Sequence, residues 1–115
     1  MLFRSGILRQ LLGGRIEQCC SGGAALPEHL FDFYQSQGVP LLQGYGLSES
    51  SPVISISTQR TVRRGSAGKP IPGVEVRIAE DGEILTRGPH VMAGYYKNEQ
   101  ATAEILKDGW LLTGD

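Results

Sequence analysis

The sequence predicts an α/β segment followed by a mainly antiparallel β segment, and three observations carry that reading. Between residues 15 and 42 the chain runs strand, glycine-rich loop, helix, strand, the order of a parallel α/β sheet. Val74 to Ile78 alternates apolar and polar residues, and Glu80-Asp81-Gly82 connects it to a return segment over Glu83 to Arg87, the pattern of a β-hairpin. Between these regions, Gly65 to Gly73 (GSAGKPIPG) is dense in turn formers and interrupts any regular element. The division is placed at residue 60, giving an α/β segment over 1–60 and a hairpin segment with one helix over 61–115.

Met1 to Leu12 (MLFRSGILRQLL) places Leu2, Phe3, Ile7, Leu8, Leu11 and Leu12 near one stripe of an amphipathic helix, which Gly13-Gly14 ends. Arg4 and Arg9 interrupt any apolar signal-peptide core, and no small-residue cleavage site follows. Arg15 to Ser21 reads as a short strand and Gly22 to Ala25 as a tight loop. Pro27 suits the first turn of a helix to about Gln37, with Leu30, Phe31, Phe33 and Tyr34 available for packing and Gly38 as its stop. Val39 to Leu42 reads as a second buried strand, leading into a Gly44-Tyr45-Gly46 turn.

In the second segment Val74, Val76 and Ile78 alternate with Glu75 and Arg77, and Glu83 to Arg87 forms the return strand. Asn98 can cap a helix through about Lys107, with Ala101, Ile105 and Leu106 on its inner side and Gly109 closing it. Trp110 to Thr113 is strand-like.

Composition sets the limits. With 115 residues, 40% hydrophobic and 20% charged, the chain is globular and holds one small core. A net charge of -1 offers no overall basic field for nucleic acid or an anionic membrane surface. If the ligand is anionic, its neutralising cations must be local, metal-borne or outside this segment. No apolar run reaches the ~20 residues of a membrane span. The two cysteines, Cys19 and Cys20, are adjacent, and adjacent Cα atoms lie too close for ordinary disulfide geometry. They read as small apolar strand residues in a reducing cytoplasm.

Several short stretches could carry chemistry. In Gln43 to Glu49, two glycines let backbone approach a flat ligand, and Tyr45 between them offers an aromatic face. Ser48 adds a hydroxyl for a phosphate oxygen and Glu49 a carboxylate for Mg²⁺, hard ligands suited to phosphate chemistry. Taken alone, the stretch equally fits a glycine turn with a capping serine and a solvated glutamate. Gly22, Gly23 and Ala24 leave unfilled volume beside which a ring or acyl chain can lie, or they form a plain turn. Asp115 follows Gly114 after a strand, a position from which carboxylates accept ribose hydroxyls, or it is a solvated charge. His29 and His90 have no partner at metal-ligand or triad spacing and read as structural.

In combination, SGGAAL, QGYGLSESSPV, GSAGKPIPGVEVRI, GEILTRGPHVMAGYYKN and DGWLLTGD resemble, in order, the segments of the acyl-adenylate-forming superfamily. ESSPVIS, GKPIPGVEV and VMAGYYKNEQAT look most like its long-chain fatty acid–CoA ligases. The resemblance runs from about Gly22 to Asp115 and implies an internal fragment of such an enzyme's N-terminal domain: part of a parallel α/β sheet subdomain plus part of a β-barrel-like subdomain. It implies that Gly22, Gly23 and Ala24 line the adenine and acyl sites, and that Gly44, Tyr45 and Gly46 hold the base. It further implies that Ser48 contacts the α-phosphate, Glu49 binds Mg²⁺ and Asp115 holds the ribose hydroxyls. Ser48 and Glu49 would be the catalytic pair. Ser48 stands where the family usually has threonine.

The implied reaction joins fatty acid and CoA at the cost of ATP, giving acyl-CoA, AMP and pyrophosphate. The partners are those small molecules, with no nucleic acid and no integral membrane segment; peripheral membrane contact of the full enzyme is compatible with it. The family's lysine-bearing phosphate loop and its C-terminal lysine domain do not occur in these residues, so the chain alone is expected to be inactive and incompletely covered at its sheet edges. Two other readings stay open: a non-catalytic truncated domain that binds a nucleotide or partner, and an adenylating enzyme for aryl or amino acids.

Overall fold

A computed structural model describes residues 2–115, with side chains from residue 6 onward. It is a mixed α/β fold with antiparallel strands, made of three helices and eight strands among the described residues. The helices are α1 (Leu2–Leu11), α2 (Glu28–Ser36) and α3 (Glu99–Ile105). The strands are β1 (Cys19–Ser21), β2 (Leu41–Gly46), β3 (Val53–Ile56), β4 (Lys69–Pro70), β5 (Glu75–Ile78), β6 (Ile84–Arg87), β7 (Leu106–Lys107) and β8 (Trp110–Leu112). One sheet has the order β1-β2-β3-β4 and the other β5-β6-β8-β7. The chain divides into two compact units: residues up to Gly44 with Ile56–Lys69, and Tyr45–Ser55 with Pro70–Asp115.

In the first unit, β1 and β2 are parallel, with Cys19 opposite Leu41 and Ser21 opposite Gln43. The α2 crossover between them supplies the length a parallel connection needs. Pro27 caps α2, its carbonyl accepting from the amides of Leu30 and Phe31. At the far end Gly38 turns left-handed at φ 73°, and the amide of Val39 closes onto Tyr34 O. Phe31, Val39, Leu41 and Leu42 form the core. Each such side chain contributes about 1.5–3 kcal/mol on burial. Leu30 and Phe33, expected to pack, are exposed. Arg64 ties the loop after β3 to α2 through Glu28 at 2.8 Å and Asp32 at 3.0 Å.

The second unit holds the antiparallel hairpin, with Glu75 opposite Arg87 and Ile78 opposite Ile84. Its turn is fixed by Gly82 at φ 91° and by Asp81 Oδ1, which accepts from the amide of Glu83 at 3.0 Å. β8 extends the sheet, Leu111 lies opposite Thr86, and both are fully buried. Trp110 is flanked by the guanidinium groups of Arg77 and Arg87, each 4.6 Å from its ring centre. Asn98 caps α3 by accepting from the amide of Ala101 at 3.1 Å.

Several elements depart from the sequence reading. The first strand occupies only Cys19–Ser21 of the expected 15–21, and Cys20 is exposed rather than packed. Gly44-Tyr45-Gly46 is strand, not turn. The reason is spatial: a Cβ on Gly46 would stand 1.8 Å from the carbonyl oxygen of Pro52, so this glycine permits close approach of neighbouring backbone. β3, for which no element was expected, follows a short 3₁₀ turn over Ser48–Ser50. α3 ends at Ile105, and Leu106 and Lys107 pair with β8 instead of continuing the helix. α1 forms as expected, but Ile7 and Leu11 are 59% and 78% exposed, so that part of its stripe is uncovered. Leu2 and Phe3 of the stripe lie outside the residues whose side chains are described.

Candidate functional site

Tyr45, Gly46, Ser48, Glu49 and Asp115 all belong to the second unit. The end of β2 carries Tyr45 half-buried, and its hydroxyl donates to Asp115 Oδ2 at 2.7 Å across 70 residues of sequence. Burial pushes the Tyr45 phenol pKa up, Thr113 draws it down and Asp115 raises it further. The hydroxyl therefore stays a donor throughout the neutral range. Asp115 is positioned by its main chain, whose carbonyl accepts from the amide of Ile84 at 2.9 Å. Its own amide donates to Thr113 Oγ1 at 3.2 Å. Asp115 Oδ1 has no hydrogen-bond partner among the described residues.

The 3₁₀ turn sets the next two groups. Buried Ser50 accepts from the amide of Leu47 and donates to the carbonyl of Pro52, which closes the turn and leaves Ser48 exposed. Glu49 is half-buried. Its Oε1 accepts from the hydroxyl of Tyr95 at 2.9 Å, and its carbonyl accepts from the amide of Met92 at 2.9 Å. The hydrogen bond to Glu49 is the main cause that raises the Tyr95 pKa. From the sequence, Tyr95 is only part of the segment GEILTRGPHVMAGYYKN and carries no role of its own. A contact between residues 46 positions apart leaves no local signal. A cavity of about 440 Å³ opens beside Asp115, lined also by Asp81, Gly82, Glu83 and Gly114 and not by Tyr45 or Glu49. Its carboxylates suit hydroxyl donors better than phosphates.

Gly22, Gly23, Ala24 and Gly44 lie in the first unit. There Gly22 approaches the carbonyl of Gly44, which a Cβ would meet at 3.4 Å, and Gly23 is left-handed at φ 83°. Gly22 to Ala24 are exposed at the carboxyl end of β1, the edge of a parallel sheet where ligands gather.

His90 is structural, as expected. Thr86 Oγ1 donates to the carbonyl of Glu75 at 2.9 Å, so it accepts from His90 Nε2–H at 2.8 Å. That fixes the neutral tautomer with an unprotonated Nδ1, which is buried and has no partner among the described residues. Gly88 makes the room, because a Cβ there would lie 3.0 Å from Nδ1. Burial lowers the His90 pKa below its usual value of about 6.5. The fold favours the neutral ring, so its contribution is present above about pH 6.5 and fades as pH falls through the lowered value. Urea unfolding should show stability declining below pH 6.5, and His90→Gln should flatten that part of the profile. An unchanged profile would refute the assignment.

Among the described residues, no three His, Cys, Asp or Glu side chains group as a metal cluster, and no helix is long and apolar enough to cross a membrane. The family model for AMP-binding enzymes matches residues 1–96. The long-chain-fatty-acid–CoA ligase FadD15 of Mycobacterium bovis is 49% identical over 108 residues, covering 94% of this chain and 18% of that protein. The o-succinylbenzoate coenzyme A synthetase of Bacillus subtilis, solved in complex with ATP and magnesium ion, matches with a TM-score of 0.77 at 33% identity, covering 87% of this chain and 23% of the other. The anthranilate CoA ligase AuaEII in complex with anthranoyl-AMP matches with a TM-score of 0.80 at 28% identity, over 85% and 21%. The chain belongs to the AMP-binding enzyme family. It spans about a fifth of the length of these relatives.

Proposed function

We propose that these residues form part of the nucleotide site of an AMP-forming acid–thiol ligase that joins fatty acid to CoA through an acyl-adenylate. The observation that carries this is the 2.7 Å hydrogen bond from Tyr45 to Asp115, which couples an aromatic face to a carboxylate with one oxygen unengaged. Adenine stacks on Tyr45 beside Gly44 and Gly46, and the ribose hydroxyls donate to Asp115. Ser48 donates to the α-phosphate. Gly22, Gly23 and Ala24 border the adenine and acyl groups. Segment 1–60 thus brings the adenine, acyl and metal loops, and 61–115 ends on the ribose carboxylate.

Glu49 fits a Mg²⁺ ligand. One of its oxygens is held by Tyr95 and the other has no partner among the described residues. A single carboxylate is the share a protein usually gives Mg²⁺, which keeps water and phosphate oxygens around itself. When bound, the ion supplies positive charge that screens the triphosphate from an approaching carboxylate. In the first step that carboxylate attacks the α-phosphorus and pyrophosphate leaves. In the second, CoA thiolate attacks the acyl carbon and AMP leaves. Tyr45, Ser48 and Asp115 hold the nucleotide for both.

The 49% identity with a long-chain ligase supports a fatty acid as the acid substrate. The adjacent free thiols Cys19 and Cys20 support a cytoplasmic setting. The test is a chimera in which this chain replaces the matching stretch of the M. bovis ligase. The chimera should keep fatty-acid-dependent ATP–pyrophosphate exchange, while the 115 residues alone give none. A protease-resistant chimera without exchange, or exchange by the isolated chain at the rate of the intact ligase, sinks the reading.

A further inference from the structure

In the first unit, Arg60, Arg63 and Lys69 line one cavity of about 320 Å³ together with Ser66 and Gly68. Among the described residues no carboxylate lines it. The neighbouring Arg64 is engaged by Glu28 and Asp32, whereas Arg60, Arg63 and Lys69 form no ion pair among the described residues. Three uncompensated cations around one concavity repel one another and focus a positive potential into it. In a chain of net charge -1, that concentration is local rather than a consequence of composition.

The loop is also built in advance of any ligand. The amides of Thr61 and Val62 both close onto the carbonyl of Thr58, and the amide of Ser66 onto that of Arg63. Gly68, left-handed at φ 90°, packs so close to β3 that a Cβ would stand 2.2 Å from Ile56 C. Ser66 Oγ accepts from the amide of Gly68 at 3.1 Å, which leaves its own O–H to donate.

We infer that this cavity is an anion site that takes a phosphate group of a small ligand, independent of the nucleotide reading of the second unit. Guanidinium forks bind phosphate oxygens in pairs, the ammonium adds a point charge, and the serine hydroxyl adds a neutral donor. The volume is at the small end of ligand pockets, about 300–1,000 Å³, and suits a phosphomonoester or pyrophosphate head. A soluble ester such as the 3′-phosphate of CoA and a phospholipid headgroup share this chemistry.

Equilibrium dialysis of the 115-residue chain against pyrophosphate, CoA and dephospho-CoA tests it, beside co-sedimentation with phosphatidylcholine vesicles containing phosphatidate. Binding of pyrophosphate is expected to weaken as salt rises and to fall about tenfold or more in the Arg60→Ala, Arg63→Ala double variant. Arg64→Ala, which removes a charge already paired, should leave binding unchanged. Hydrogen exchange should slow over residues 58–70 of the unsubstituted chain when pyrophosphate is added, a readout that needs no variant to fold. Preference for CoA over dephospho-CoA supports the site with a soluble ester as its source; binding confined to the vesicles supports it with a headgroup. The inference is overturned if no phosphate probe binds at low salt, if the double variant binds as well as the original, or if protection appears elsewhere.

Discussion

Gly68→Ala is expected to cost about 4 kcal/mol and to abolish the folded state of the chain. Two separate penalties combine at this position. The backbone is left-handed at φ 90°, which costs an L-residue about 1–2 kcal/mol. An added methyl would also overlap the main chain of Ile56 and Ser57, at 2.2 and 2.3 Å, and overpacking costs about 1–3 kcal/mol. The obstacle is backbone of a sheet strand, which cannot rotate away as a side-chain tip could. Gly46→Ala isolates the steric part: its Cβ would meet Pro52 O at 1.8 Å, and about 3 kcal/mol is expected. Gly23→Ala isolates the dihedral part, with φ 83° and nothing within 4 Å, and about 1 kcal/mol is expected. Parallel limited proteolysis of the three variants should rank them Gly68, Gly46, Gly23 in susceptibility. Equal resistance across the three would show that these backbones approach less closely than described.

Those glycines also explain what the sequence hid. Elements governed by local chemistry were legible: Pro27 at the start of α2, Asp81 and Gly82 in the hairpin turn, and Asn98 capping α3 each act within four residues. Gly44 and Gly46 were misread as a turn because glycine signals both chain reversal and close approach. At Gly46 only the spatial neighbour, Pro52–Val53, decides between them. β3 escaped notice for a related reason. Its Ile54-Ser55-Ile56-Ser57 alternates apolar and polar, but the run is short and follows turn-forming Ser50-Ser51-Pro52, and only the structure shows Ile54, Ser55 and Ser57 all buried. Of the candidate site, the aromatic, hydroxyl and carboxylates could be listed from order and type, and the structure places Tyr45 in contact with Asp115. The tie from Tyr95 to Glu49 needed coordinates, since an exposed tyrosine in a glycine-flanked turn has many ordinary uses.

That tie sets the second large effect. In the ligase chimera, Glu49→Gln is expected to lower adenylate formation about 100-fold, because the amide keeps the shape and the bond from Tyr95 but removes the charge that would hold Mg²⁺. Tyr95→Phe should act differently. Its hydroxyl donates to only one Glu49 oxygen, so its loss frees the carboxylate to rotate without discharging it. The expected result is about a tenfold rise in the Mg²⁺ concentration needed for half-maximal exchange, with the rate at saturating Mg²⁺ nearly intact. The Tyr95 pKa is raised, so the donor persists across the neutral range and the split should not depend on pH there. Titrating Mg²⁺ at fixed ATP separates the two variants. If Glu49→Gln leaves the Mg²⁺ dependence and the rate untouched, the carboxylate is not the metal ligand. If Tyr95→Phe lowers the saturated rate and leaves the midpoint fixed, the phenol acts on folding of the unit and not through Glu49.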